Sequence, residues 1–195
     1  MPPFLSTPAG LAMLLAGAYA IGGVSPGWWL VRRSRGGDIR DVGSGQTGAT
    51  NVGRVLGNRG FGLVLLLDAV KGAAAVLGVR LLAPSTPWAA LALPAVIAGH
   101  IWPVWLGFRG GRGGGPLLGG CAAFDWRLAS VSVLVGLAIG GLARNRFAAG
   151  ASAVGFSLLA VWWLEPGAVE RLCYLGGTGL VLLAHRAYFG KYLRS

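Results

Sequence analysis

Long apolar runs, broken by short segments that hold nearly all the charge, limit the architecture of this chain more than any motif does. A helix needs about 20 mostly apolar residues to cross a bilayer. Candidate spans run from about Ala9 to Val31, Phe61 to Ala83, Trp88 to Leu106, Phe147 to Leu164 and Ala168 to Ala184. The stretch from Pro116 to Ala143 reads either as one long span or as a short piece ending near Asp125 plus a returning span from Leu128. Charged residues make up 12% of the chain, about half the share in a soluble domain. Too few charges remain to coat a globule in water, whereas lipid accepts an apolar exterior.

The formal net charge is +11, from 17 Lys and Arg against 6 Asp and Glu. On a soluble face such an excess would suggest nucleic acid. Here the basic residues punctuate apolar runs, as positive-inside loops do, so no nucleic-acid partner is expected. Seven spans with the N-terminus outside place Arg32, Arg33, Arg35, Arg40, Arg54, Arg59, Arg109, Arg112, Arg144, Arg146, Arg186, Lys191 and Arg194 inside, 13 of the 17. Six spans would put Arg144 and Arg146 outside and lower that count. The expected fold is therefore an all-α polytopic membrane protein, a single integral membrane domain over 1–195. Its N-terminus is expected outside and its C-terminus inside, with inner loops at about 36–59, 107–115 and 185–195.

Ala18-Tyr19-Ala20 imitates a signal-peptidase site, but no positive charge precedes it before Arg32, so an uncleaved first helix is expected. Cys121 and Cys173 lack any metal-type spacing and read as packing residues. Gly136 and Gly140 have the GxxxG spacing of a close helix contact, although glycine is common enough here for coincidence.

Two familiar patterns fail on context. Gly43 to Gly48 satisfies G-x-G-x-x-G, yet no strand precedes it and no βαβ unit surrounds it. Gly23-Val24-Ser25-Pro26-Gly27 matches G-x-S-x-G, but Pro26 is a poor start to an elbow helix and no acid–His pair accompanies it.

A stronger signal is the first polar segment as a whole: Asp38-Ile39-Arg40, Gly43-Ser44-Gly45-Gln46-Thr47-Gly48-Ala49-Thr50-Asn51, then Arg54. Successive backbone N–H groups in such glycine-rich turns form anion-binding nests, and an arginine adds bidentate hydrogen bonds to phosphate. A flexible basic connector near anionic lipid explains the composition almost equally well. The second segment repeats the chemistry, with His100-Ile101-Trp102-Pro103 and then Arg109-Gly110-Gly111-Arg112-Gly113. Two such loops on one face suggest a shared phosphate pocket. Asp68 and Lys71, at i and i+3 within a span, can pair, either for function or to pin the first loop. His100 and His185 are the only histidines, each at a span boundary.

These residues resemble the signatures of the PlsY-type, acyl-phosphate-dependent glycerol-3-phosphate acyltransferases. Asp38 to Arg54 and Leu65 to Gly72 are similar to the first, Gly99 to Pro103 and Gly110 to Gly113 to the second, and His185-Arg186 to the start of the third. The resemblance implies a seven-transmembrane-helix bundle of PlsY type in the bacterial inner membrane, with the motif loops facing the cytoplasm. It implies acyl transfer from acyl-phosphate to the 1-hydroxyl of glycerol-3-phosphate, giving lysophosphatidic acid, with no cofactor and no metal. By position it implies catalytic roles for Ser44, Arg54 and His185. Gly43, Gly45, Thr50, Asn51, Lys71, His100, Gly110, Gly111, Arg112 and Gly113 fall at substrate-binding positions. Gln46 stands where the family has Asn, Arg112 where it has Lys, Gly114-Gly115-Pro116 where it has Val-Ala-Thr, and Tyr188 where it has Asn. The alternative is a catalytically weak or silent relative acting as a structural subunit of a larger membrane complex.

Overall fold

The computed structural model describes residues 7–144, 146–164 and 167–192, with side chains described except at 146–148 and 187–192. Among these residues the regular structure is entirely helical. Helix α1 (Pro8–Gly23) is followed after a bend at Val24 and Ser25 by α2 (Pro26–Arg35). Then come α3 (Ala49–Leu82), α4 (Ala92–Ile101), α5 (Gly114–Phe124), α6 (Trp126–Ala143), α7 (Arg146–Leu164) and α8 (Ala168–Tyr192). Short 3-10 turns extend α4 at both ends, over Pro87–Leu91 and Val104–Leu106. Counting α1 and α2 as one path gives seven helical segments. Among the described residues four segments are long and apolar enough to cross a membrane: Pro8–Arg35, Ala49–Leu82, Pro87–Leu106 and Trp126–Ala143. Large apolar side chains also face outward, among them Trp163 at 90% and Leu142 at 88% exposure. Lipid tolerates such a surface and water does not.

The ambiguous stretch resolves into two helices. Asp125 ends α5 and caps α6, its carboxylate accepting from the Arg127 N–H at 2.8 Å. Arg80 on α3 donates to the carbonyls of Ala123 and Phe124 at 3.1 and 2.8 Å. It thereby satisfies groups that a helix C-terminus leaves unpaired.

Glycine sets how closely the helices approach. A methyl group on Gly119 would lie 1.8 Å from the Ala69 carbonyl oxygen, and one on Gly99 2.0 Å from that of Tyr19. The pairs α3·α5 and α1·α4 therefore meet backbone to backbone, as small residues allow in membranes. Gly136 and Gly140 do the same for the α6·α7 hairpin, against Ala149, so the GxxxG spacing is used.

Three boundaries differ from the sequence reading. The first loop ends at Gly48 rather than Arg59, because Gly48 caps α3 and the helix runs from Ala49 through the polar stretch. What the polar residues near Arg59 mark is a kink at Gly57, whose φ of 71° and ψ of −167° only glycine adopts freely. Gly114 and Gly115 open α5, so the second loop is 107–113 rather than 107–115. The expected C-terminal loop begins inside α8, which continues past His185 to Tyr192.

Candidate active site

Asn51 organises the first loop from the opening turn of α3. It is 1% exposed. Its amide oxygen accepts from the Ser44 N–H at 2.9 Å, and its amide nitrogen donates to the carbonyls of Ile39, Val42 and Gln46 at 3.1, 2.9 and 3.0 Å. The chain must therefore curl tightly around it. Gly43 and Gly45 take φ of 59° and 68° to do so, and a methyl group on Gly43 would fall 2.2 Å from the Asn51 amide oxygen. Ser44 is half-buried, while Thr50 and Arg54 are exposed on α3. The Arg54 guanidinium lies 3.4 Å from the Asn51 amide oxygen, a long contact that leaves most of its donors for other partners.

The Arg40 guanidinium grips Asp38 at 2.6 Å and also donates to the Leu106 carbonyl at 2.7 Å. The Trp28 indole donates to the same carboxylate at 3.1 Å. This charge-assisted grip holds the Asp38 carboxyl well below the usual carboxylate range. It ties the first loop to α2 and to the entry of the second.

The two loops touch. The Thr47 N–H donates to the Gly110 carbonyl at 3.3 Å. With its amide nitrogen turned toward the second loop, where both amide atoms meet complementary partners, Gln46 donates to the carbonyls of Gly110 and Gly111 at 3.0 and 3.3 Å. Thr47 itself is 1% exposed and bridges the loops through its backbone. Sequence reasoning gave Thr47 no separate role, because a backbone contact carries no residue signature.

Beneath the second loop lies a buried polar cluster. Lys71 pairs with Asp68 at 2.9 Å, meets His100 Nδ1 at 2.8 Å and donates to the Val24 carbonyl at the α1–α2 bend. Lys71 thus faces inward among protein groups, joining α1, α3 and α4. Glycine permits the second loop to lie against this cluster. A methyl group would sit 2.1 Å from His100 Nε2 on Gly111, 2.1 Å from the His100 carbonyl oxygen on Gly110, and 2.6 Å from Asp68 Cβ on Gly115. On Gly113 it would lie 2.9 Å from Val181 of α8.

That last contact brings the third signature to the same place. His185, one turn beyond Val181, has Nδ1 2.8 Å from the Val181 carbonyl. A carbonyl only accepts, so Nδ1 carries the proton, and the neutral ring offers Nε2 as an acceptor. The half-buried Arg112 lies close enough for its charge to act on this ring. Tyr188 lies outside the described side chains. Beside the loops, Ser25, Trp28, Trp29, Trp105 and Leu106 line a mostly apolar cavity of about 310 Å³.

A sequence profile of the family described as glycerol-3-phosphate acyltransferase matches residues 12–195. The chain belongs to the glycerol-3-phosphate acyltransferase family. It is 43% identical to glycerol-3-phosphate acyltransferase 1 of Desulfitobacterium hafniense, over 89% of this chain and 86% of that one. It is 37% identical to the glycerol-3-phosphate acyltransferase of Mesorhizobium japonicum, over 94% and 93% of the two chains. Its fold matches the crystal structure of PlsY (YgiH), an integral membrane glycerol 3-phosphate acyltransferase, in the glycerol 3-phosphate form. That match has a TM-score of 0.86 at 30% identity and covers 95% of this chain and 92% of the other. The lysophosphatidic acid form matches with a TM-score of 0.84 at 28% identity. The acyltransferase resemblance carried by the loop residues thus extends through the whole helical bundle, an all-α membrane fold of PlsY type.

Proposed function

We propose that the chain transfers an acyl group from acyl-phosphate to the 1-hydroxyl of glycerol-3-phosphate, releasing lysophosphatidic acid and inorganic phosphate. The observation that carries this reading is the joining of two glycine-rich basic loops, through Thr47, Gln46, Gly110 and Gly111, at the end of the bundle that also holds His185. The acyltransferase names of its relatives favour it over the structural-subunit alternative.

The donor is a mixed anhydride, so no covalent enzyme intermediate is required. The hydroxyl oxygen bonds to the acyl carbon, the carbon–oxygen bond to phosphate breaks, and the hydroxyl proton leaves with the phosphate. Positioning and charge stabilisation supply most of the catalysis. Arg54 and Arg112 bind the phosphates, the Ser44 hydroxyl hydrogen-bonds to them, the glycines of both loops leave room for their close approach, and Thr50 adds the first turn of α3. Asn51 shapes the first loop rather than touching substrate. His185 Nε2 accepts the hydrogen bond of the attacking hydroxyl, takes its proton as the acyl carbon is attacked and returns it to the departing phosphate. The aromatic cavity beside Leu106 receives the start of the acyl chain.

The chain forms one integral membrane domain in the bacterial inner membrane, with its N-terminus outside and its loops and C-terminus in the cytoplasm. The supporting observations are the basic loops at one end and the apolar exterior.

The test is lysophosphatidic acid formation by the purified chain from acyl-phosphate. Arg54→Ala should lower kcat/KM roughly tenfold or more, the effect of one charge-assisted hydrogen bond. Wild-type turnover in a folded Arg54→Ala protein would remove Arg54 from the site. Silence of the folded wild type, with a stoichiometric partner copurifying, would return the reading to a structural subunit.

A further inference from the structure

The buried cluster under the second loop has a polarity that elementary hydrogen-bond chemistry fixes. A charged lysine has three N–H donors and no acceptor. Lys71 donates to the Val24 carbonyl, stands 2.8 Å from His100 Nδ1 and forms an ion pair with Asp68 at 2.9 Å. Facing a donor, Nδ1 of His100 must accept, so a neutral ring carries its proton on Nε2. The competing arrangement, Nδ1–H donating to Asp68, would span 3.5 Å and yields to the shorter Lys71 contact. Nε2 points at Gly111, where a methyl group would come within 2.1 Å of it. Among the described residues Nε2–H has no acceptor, so the position beside Gly111 is left for one from outside the chain.

We infer that the Asp68–Lys71 ion pair is a tautomer lock: it holds His100 as the Nε2–H form, so that the ring donates at Gly111 to the phosphate cradled by the second loop. His100 is then a binding residue, while Asp68 and Lys71 are positioning residues that act through it. The two histidines would have opposite polarity, His100 giving a hydrogen bond at Nε2 and His185 receiving one. The cluster also explains why Gly111 lacks a side chain: anything larger would push the ring off the loop. This inference rests on the phosphate-binding reading of the loops, and the lock itself can be measured without turnover.

Nitrogen-15 spectra of histidine-labelled protein in lipid nanodiscs separate the tautomers, and His185→Gln assigns the two rings. His100 should show a protonated Nε2 and a bare Nδ1, and glycerol-3-phosphate should move the Nε2–H signal. Lys71→Met should hand the proton to Nδ1, where Asp68 can accept it, and weaken glycerol-3-phosphate binding roughly tenfold or more. Should Lys71→Met fail to fold, Asp68→Leu/Lys71→Met leaves no lone buried charge and should give a mixture of tautomers. A wild-type His100 protonated at Nδ1 overturns the lock, as does retention of pure Nε2–H in either variant. A signal unmoved when calorimetry shows glycerol-3-phosphate bound overturns the donor role. An intact lock in a protein without transferase activity would count against the catalytic reading alone.

Discussion

Replacing Asn51 tests whether one buried amide holds the first loop in its working shape. The amide oxygen receives the Ser44 N–H at 2.9 Å, and the amide nitrogen serves three carbonyls at 2.9 to 3.1 Å with its two hydrogens. Counting one acceptor and two donors lost, at about 1 kcal/mol net each, Asn51→Ala should weaken loop closure by roughly 3 kcal/mol. That corresponds to about a hundredfold in the closed-to-open ratio. Binding weakens as the competent fraction falls, so the KM for glycerol-3-phosphate should rise roughly ten- to a hundredfold. The helical bundle is packed independently of this amide, so Tm in detergent should move little. Hydrogen exchange at the Ser44 and Thr47 amides reads the loop directly, and both should lose protection. Asn51→Asp sharpens the test, because it keeps the acceptor for Ser44 but sets a carboxylate against three carbonyl oxygens. It should impair the protein at least as much as Ala. Wild-type protection at Ser44 and an unchanged KM in a folded Asn51→Asp protein would refute the reasoning.

The Asp38–Arg40 grip predicts a pH response. Asp38 has a depressed pKa when folded, so its contribution is present above the ordinary carboxylate value of 3.8 and is lost only as pH falls below it. Mild acid near pH 5 should therefore leave the first loop as protease-resistant as at pH 7, whereas Asp38→Asn should expose it at both; loosening of the wild type alone at pH 5 would contradict this. For orientation, single cysteines at Ser34 and Ser85, in a background lacking Cys121 and Cys173, should label from opposite sides of a sealed membrane. Labelling from one side would reject the alternating topology.

The spans were legible because lipid imposes a composition, and composition survives in a single sequence. The start of α3 was not. Asn51, Arg54, Asn58 and Arg59 look like loop residues, and Gly48 caps the helix without a side-chain hydrogen bond. A weaker signal was present: Val52, Val55 and Leu56 stand at i, i+3 and i+4, and they pack with Val31, Ile39 and Val64 into a small second core. For the site, the sequence pointed to the glycines, arginines and histidines but could not tell inward from outward. Asn51 and Lys71 both read as groups for substrate. The structure turns each toward the protein, since the acceptors around them are carbonyls and carboxylates set by the fold.

The length of α5 explains why ionisable groups occur within a span at all. Eleven residues extend about 16 Å, roughly half a bilayer core. Contacts fix its depth against α3, since Gly115 lies on Asp68 and Phe124 on Arg80. Asp68 is eleven residues past the Gly57 kink, so the second loop meets α5 about 16 Å along α3 from that kink. A loop recessed that far exposes peptide groups where water is scarce, which is tolerated only against protein or a polar cavity. Asp68, Lys71 and His100 provide that polar floor, and Gly110, Gly111 and Gly115 let the backbone rest on it. The short helix, the buried charges and the run of glycines are thus one solution to one problem. On the proposed reading, they bring the turn that would bind phosphate down toward the depth at which an acyl chain enters lipid.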